Sequence, residues 1–334
     1  MRHTANTIFN RLNKAGFKRE FVRIAILPDW WDDDCSADPD LTTELELRVS
    51  RFLGCSVGSV RDSGLSLSFP TVTAAKLRRV RDIDRDRLGP AIHAALKIGA
   101  AVVRSLRQPV KPMGALPSKG IQWRTEIQQG DKHVRLENIV EDLWTRGIPV
   151  VPLEFLPTPC FQGLSCVIDG RPVIMLGHKH DEPGRIAFVI AHEAGHVATG
   201  DCTAHEPVID EDESIQDESP MELAADRYAL EVMVGSDSIP ELKGSNFQEL
   251  ARQAAMLSRT QGIDPCAMIY AWGRRTGNYA TVNMALRALY LHQGGRLLLR
   301  KYFDRYVDIE GAVETDQLLM RAVFGGTRDD ALVN

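Results

Sequence analysis

The chain has 334 residues, of which 44% are hydrophobic and 25% are charged, close to the average of soluble globular proteins. This length predicts two or three domains, and the composition excludes a mostly disordered chain, a collagen-like fibre and a coiled-coil rod. The net charge of −5 excludes a uniformly basic nucleic-acid-binding protein. Residues 1–110 have a net charge of +5 and residues 111–334 one of −10, which suggests parts with different partners.

The sequence has no signal-like or membrane-spanning segment, because no apolar run reaches about 18 uninterrupted residues. We therefore expect a cytoplasmic protein without membrane contact. The six cysteines include no Cys-x-x-Cys pair, so we expect buried, reduced thiols rather than disulfides or a cysteine zinc cluster.

The first 106 residues predict a helical domain. A helix that ends at Gly54, followed by a short helix that Ser56 could cap, has the outline of a helix-turn-helix. A third helical stretch is predicted from about Val72 to Leu106. The second helix offers only Arg61 and a few serines for contacts with bases, so contact with DNA and contact with a protein both remain open, and we favour protein.

Residues 107–120 contain three prolines and two glycines and are predicted to form a linker. Further along, the short apolar runs 164–168 and 173–176 predict strands, joined by a hairpin at Asp169-Gly170 because Asp-Gly favours tight turns. The strand at 173–176 could present an edge to an extended peptide. The rest of the chain, to about Leu319, is predicted to be mostly helical.

The segment from Val189 to His196 contains the pattern H-E-x-x-H on a predicted helix. Residues four apart share one helical face, so His192 and His196 can bind the same zinc ion. Glu193 is rotated by about 100° and can take a proton from zinc-bound water. Gly195 lowers helix propensity and therefore predicts close approach of another backbone.

A second predicted helix provides a third zinc ligand, Glu222, and on the same face Asp226. Asp226 could accept a hydrogen bond from the non-ligating nitrogen of His192 and fix the tautomer of that ring. Residues 201–222 contain nine acidic residues and no Lys or Arg. They also offer rival ligands: Asp201, Glu206, Asp210 and Glu213. The alternative is that the two histidines are ordinary surface or core residues that bind no metal.

The strand pair, the segment from Ile186 to His196 and the segment from Glu222 to Ala229 together resemble the ImmA/IrrE family of metallopeptidases. Residues 262–270 also resemble a family segment, so that the resemblance covers about residues 125–290. One departure is Ala224, where many relatives have a second glutamate, and another is the long acidic segment before it.

The resemblance implies that His192, His196 and Glu222 hold Zn²⁺ and that Glu193 is the general base of a gluzincin-like, cytosolic peptidase. Members of the family cleave helix-turn-helix repressors or antitoxins, which are therefore the expected protein substrates, and some members have a helix-turn-helix region of their own. Candidates for stabilising the oxyanion are His178, His180, His205, Tyr228, Tyr270 and Arg274.

We therefore predict an α+β fold that is mostly helical, with a minimal zincin-like core of a small sheet and the H-E-x-x-H helix. The predicted parts are a helix-turn-helix-like domain (1–106), a linker (107–120), the metallopeptidase core (121–240) and a helical C-terminal region that packs on the core (241–334). The alternative to a peptidase is a DNA-binding transcriptional regulator, or a toxin–antitoxin partner, whose zinc domain senses or binds rather than cleaves.

Overall fold

The computed structural model describes most of the chain. The described residues are 4–32, 34–62, 64–67, 69, 82–107, 114–128, 133–177, 180–202, 208–210, 219–243, 246–289 and 294–324. They form many helices and one small mixed sheet, which confirms the α+β class. The predicted helical stretch that starts at Val72 lies outside the described residues as far as residue 81.

The α-helices that can be described are, in chain order, α1 (Ala5–Lys14), α2 (Arg19–Ala25), α3 (Pro39–Leu53), α4 (Val57–Arg61), α5 (Asp82–Arg104), α6 (Gly120–Ile127), α7 (Leu136–Thr145), α8 (Pro183–Thr199), α9 (Pro220–Val234), α10 (Phe247–Gln261), α11 (Pro265–Thr276), α12 (Tyr279–Ala288), α13 (Gly295–Tyr306) and α14 (Glu314–Phe324). A 3-10 helix spans Asp34–Ala37. The strands are β1 (Val150–Pro152), β2 (Gly163–Ile168), β3 (Arg171–Leu176) and β4 (Val208–Asp210).

The chain divides into two compact units. Unit 1 contains the described residues within Met1–Arg107, Leu153–Cys160 and Val307–Asn334, and unit 2 those within Gln108–Pro152 and Phe161–Tyr306. The domain boundaries expected from the sequence stay predictions.

Unit 1 is a helical assembly in which α14 packs against α5 and α2. The predicted helix break is confirmed, because Gly54 ends α3 in the left-handed region (φ 69°) and Ser56 caps α4 through the backbone N–H of Ser59. Aromatic side chains fill the interior, where the ring of Phe52 lies edge-on to Phe17 and to the fully buried His93.

The sheet of unit 2 has the order β1-β3-β2-β4. β1 pairs parallel to β3, whereas β2 pairs antiparallel to both β3 and β4. The predicted hairpin is confirmed, with Asp169 (φ 50°) and Gly170 (φ 76°) in the turn between β2 and β3. The expectation that residues 173–176 present a sheet edge is wrong, because β3 pairs with a neighbour on each side.

Helix α8 is at the centre of unit 2. It packs against β2 and β3 on one side and against α9, α11 and α7 on others. Gly195 permits the contact with α9, since a Cβ at that position would lie 3.0 Å from the Cα of Ala225. This confirms the close backbone approach predicted from the glycine. Nearly the whole of α8 is buried, as expected for a helix with apolar residues on most of its faces.

Among the residues that the structure describes, no helix combines the length and the apolar character needed to cross a bilayer.

Candidate metal centre

The two histidines of H-E-x-x-H lie on the buried face of α8. Pro183 occupies the first turn, where its missing N–H costs no hydrogen bond, and Gly200 ends the helix in the left-handed region (φ 75°). His192 and His196 are both fully buried, and their Nε2 atoms lie 3.2 Å apart. Helical spacing therefore places two nitrogen donors side by side, as the sequence predicts.

Helix α9 adds a carboxylate to this pair. Ser219 caps the helix through the backbone N–H of Glu222, which fixes Glu222 in the first turn. Glu222 Oε2 lies 3.0 Å from His192 Nε2 and 3.4 Å from His196 Nε2. The three donor atoms all lie within 4.8 Å of one another, so this buried group could hold a metal ion.

Each histidine has a carboxylate at its other nitrogen. His192 Nδ1 lies 2.8 Å from Asp226 Oδ1, and His196 Nδ1 lies 3.3 Å from Asp201 Oδ2. A carboxylate at Nδ1 favours the tautomer with the proton on Nδ1, which leaves the lone pair on Nε2. Two such lone pairs and a carboxylate oxygen would converge at one point, and a cation placed there satisfies all three. The donor set therefore fits a metal ion.

The electrostatics of the cluster also favour positive charge at this point. Burial alone would lower the pKa of His196, but hydrogen bonds with Asp201 and Glu222 raise it to about 10. Burial would raise the pKa of Glu222, yet the two histidines hold it well below its usual range. The same carboxylates that stabilise a protonated imidazole would stabilise a bound cation.

Strand β2 positions the carboxylate of Glu193. Ser165 Oγ donates a 2.8 Å hydrogen bond to Glu193 Oε2, and Glu193 is fully buried. A Cβ at Gly163 would overlap Glu193 Oε1, so only glycine leaves room for the carboxylate at that position of the strand. The negative charge of Glu193 also contributes to the raised pKa of His196.

The chain was compared with models of protein families, with curated proteins and with solved structures. None of the three comparisons found a match.

Two residues complete the surroundings of the histidines without having been assigned there from the sequence. Asp201, expected only as a rival ligand, lies beside His196 Nδ1 and also accepts a 2.6 Å hydrogen bond from Thr199. Arg274, on α11, lies 2.8 Å from Asp226 Oδ1. The signal for Asp201 in the sequence is the preceding Gly200, which ends α8 one turn after His196. The chain turns back at such a glycine, so the next residue can lie beside the histidine.

The other residues that the sequence suggests for stabilising the oxyanion or for binding the metal have different surroundings. The hydroxyls of Tyr228 and Tyr270 donate to Pro117 O and to Gln162 Oε1, respectively, both at 2.9 Å. His180 lies 3.9 Å from Glu182. His178, His205, Glu206 and Glu213 lie outside the described residues, as does the side chain of Asp210.

Proposed function

We propose that the protein is a zinc-dependent endopeptidase of the ImmA/IrrE type. The observation that supports this most is the convergence of His192 and His196 of α8 with Glu222 of α9 at one buried point. Glu193, also fully buried, follows His192 directly on α8. The family resemblance of residues 125–290 supports the same assignment. On this proposal the small sheet and α8 form a zincin-like core, and the glutamate on α9 makes it gluzincin-like.

The spacing of the donors supports zinc as the metal. Zinc in proteins binds nitrogen and oxygen at about 2.0–2.2 Å with tetrahedral geometry, which separates its ligands by roughly 3.4 Å. The three donor separations are 3.0, 3.2 and 3.4 Å. Three protein donors leave a fourth position for water or substrate, as in catalytic rather than structural zinc sites.

In the proposed mechanism the residues of the chain hold the metal and move one proton. Zinc would supply Lewis-acid polarisation of the scissile carbonyl and a lower pKa for the attacking water. Asp226 and Asp201 keep the imidazoles of His192 and His196 oriented. Glu193 accepts a proton from the water at a carboxylate oxygen and returns it to the leaving amine nitrogen. The hydrogen bond from Ser165 holds the carboxylate in place for both transfers.

The proposed substrate is a cytoplasmic regulatory protein, namely a helix-turn-helix repressor or an antitoxin that controls a prophage, mobile element, defence or stress operon. The segment 201–222 supports this class, because its acidic residues other than Asp201 and Glu222 would attract a basic DNA-binding protein. Contact with DNA through the N-terminal helices would be an additional function of the helix-turn-helix-like domain.

The depth of the cluster favours a second candidate function. His192, His196, Glu193 and Glu222 are all fully buried, which suits a metal that is retained for sensing or binding. On this alternative the protein is a transcriptional regulator or toxin–antitoxin partner that does not cleave.

Co-expression with the helix-turn-helix protein encoded next to it distinguishes the two functions. The wild type should produce a shortened product. Glu193→Gln should reduce cleavage by about 10²–10⁴-fold, since it removes the proton acceptor, while its zinc content stays equal to that of the wild type. Glu241→Gln, on an exposed side chain paired with Lys243, is the matched control and should cleave normally. Equal cleavage by Glu193→Gln would rule out the proposed mechanism.

A further inference from the structure

Unit 1 contains a cavity of about 340 Å³ that is separate from the metal centre. Its wall is formed by α3, α5 and α14, with the end of α2. A volume of roughly 300–1,000 Å³ is typical of sites for small organic ligands. The cavity is therefore large enough for a small molecule, and its lining indicates which kind.

Helical spacing brings four cationic side chains to this cavity. Arg48 and Arg51 are three residues apart on α3, and Lys97 and Arg104 are seven apart on α5. Both spacings place the pair on one face of the helix. Among the lining residues that the structure describes, Asp316 of α14 is the only acidic one.

Two of the four cations are already neutralised. Arg104 forms a bidentate pair with Asp316, at 2.7 and 2.9 Å. Arg48 pairs with Glu44 at 2.6 Å and with Glu314 at 3.2 Å. These pairs reduce the repulsion between the cationic side chains. They leave other hydrogen-bond donors of the cavity without an acceptor.

Three hydrogen-bond donor groups at the cavity have no partner within the described part of the chain. They belong to the ammonium group of Lys97, to the guanidinium group of Arg51, and to Nη1 of Arg48, which is buried. Lys97 is half-buried, and burial lowers its pKa, with a further contribution from Arg104. Partial burial of the Lys97 ammonium group without a counterion among the described residues is unfavourable, and an anionic ligand would remove that cost.

The remainder of the lining is mostly apolar. It includes Ile26, Phe52, Leu318 and Leu319. An inorganic anion would fill only the cationic part and would leave this surface uncovered. A ligand with both an anionic group and a hydrocarbon body would cover both parts.

We propose that this cavity binds a small amphipathic anion, whose carboxylate or phosphate group contacts Lys97, Arg51 and Arg48 Nη1 and whose apolar body packs against Phe52 and Leu318. The site is independent of the proposed peptidase activity, because all of its residues belong to unit 1.

Calorimetric titration of the full chain with four probes tests this proposal. Octanoate and octyl phosphate have the proposed chemistry, octylammonium has the same chain with the opposite charge, and inorganic phosphate has no chain. We expect one of the two anions with a chain to bind at least about tenfold more tightly than octylammonium and than inorganic phosphate. The ratio between octanoate and octyl phosphate identifies the preferred head group.

Variants then locate the binding site. Lys97→Met keeps the length of the side chain but removes its charge, and should weaken binding of the preferred anion by about tenfold or more. Arg51→Gln, at an exposed position of α3, should weaken it in the same direction and does not depend on repacking of the interior. Lys18→Met removes an exposed charge elsewhere in unit 1 and should have no effect. Binding of octylammonium as tightly as of the anions, no binding of any probe, or equal binding by all three variants would overturn the proposal.

Discussion

Buried histidines in the two units have opposite surroundings. His93 of unit 1 lies among the rings of Phe17, Phe52 and Phe69, and its Nε2 meets the carbonyl oxygen of Phe52 at 2.9 Å. His192 and His196 of unit 2 face carboxylates at Nδ1 and each other at Nε2. All three side chains are fully buried on a helix. Burial alone therefore does not distinguish a packing histidine from a candidate ligand.

The partners of the rings make the distinction. Burial lowers the pKa of His93 to about 4, because the hydrogen bond with the Phe52 carbonyl does not compensate for the lost hydration of an imidazolium. At His196 the neighbouring carboxylates outweigh burial and raise the pKa to about 10. An apolar environment excludes positive charge, whereas the carboxylate cluster attracts it, and this contrast predicts how each site responds to substitution.

The largest effect should follow from removing a ligand of the metal centre. His196→Ala deletes one of three donors and should weaken zinc affinity by more than the roughly 10–100-fold that outer partners of ligands contribute. Competition with a chromophoric chelator measures this affinity. His93→Gln, which retains a donor for the Phe52 carbonyl, is the matched control and should bind zinc like the wild type. Equal affinity of His196→Ala and His93→Gln would remove the distinction between the two regions.

The next effect concerns the carboxylate behind His192. Asp226→Asn keeps the shape of the side chain but removes the charge that orients the ring, and should weaken zinc affinity by about 10–100-fold. Asp237→Asn changes an exposed aspartate just beyond the end of α9 and serves as the control. If both variants had the wild-type affinity, the 2.8 Å contact between Asp226 and His192 would have no role in metal binding.

Local spacing is sufficient to predict which side chains come together in the candidate metal centre. The i, i+4 rule places His192 and His196 together, and the same rule on the next helix predicts Glu222 and Asp226 on one face. In the structure Asp226 Oδ1 lies 2.8 Å from His192 Nδ1, the ring nitrogen that does not face Glu222. The relative positions of these four residues depend only on helix geometry and on the contact between α8 and α9.

The remaining parts depend on contacts that are distant in sequence. Gly163 and Ser165 meet Glu193 only because β2 packs beneath α8, and Arg274 reaches Asp226 from α11. The sheet order could not be predicted either, since β1 and β4 are only three residues long and pair with strands that are not their sequence neighbours. Short strands have too few residues to show alternation.

The third largest effect should be a loss of stability at low pH that is caused by His93 of unit 1. The pKa of His93 is about 4 in the folded protein, below the roughly 6.5 of an unfolded chain. Its contribution to stability is therefore present above pH 6.5 and lost as the pH falls toward 4. Between pH 7 and pH 5 the free energy of unfolding of the wild type should fall by about 2 kcal/mol more than that of His93→Gln.

Urea titrations of the wild type and His93→Gln at both pH values measure this difference. Other groups, such as the half-buried His180, titrate equally in both proteins and cancel. Parallel losses of stability in the two proteins would show that His93 is not the group that takes up the proton.

The smallest effect is expected at the second histidine of the metal centre. Asp201 lies 3.3 Å from His196 Nδ1, compared with 2.8 Å between Asp226 and His192, and the attraction between a carboxylate and an imidazole ring falls with distance. Asp201→Asn should therefore weaken zinc affinity by about tenfold, at the lower end of the range for such partners. An effect larger than that of Asp226→Asn would mean that the orientation of His196 limits metal binding, and the order of importance inferred from the distances would be reversed.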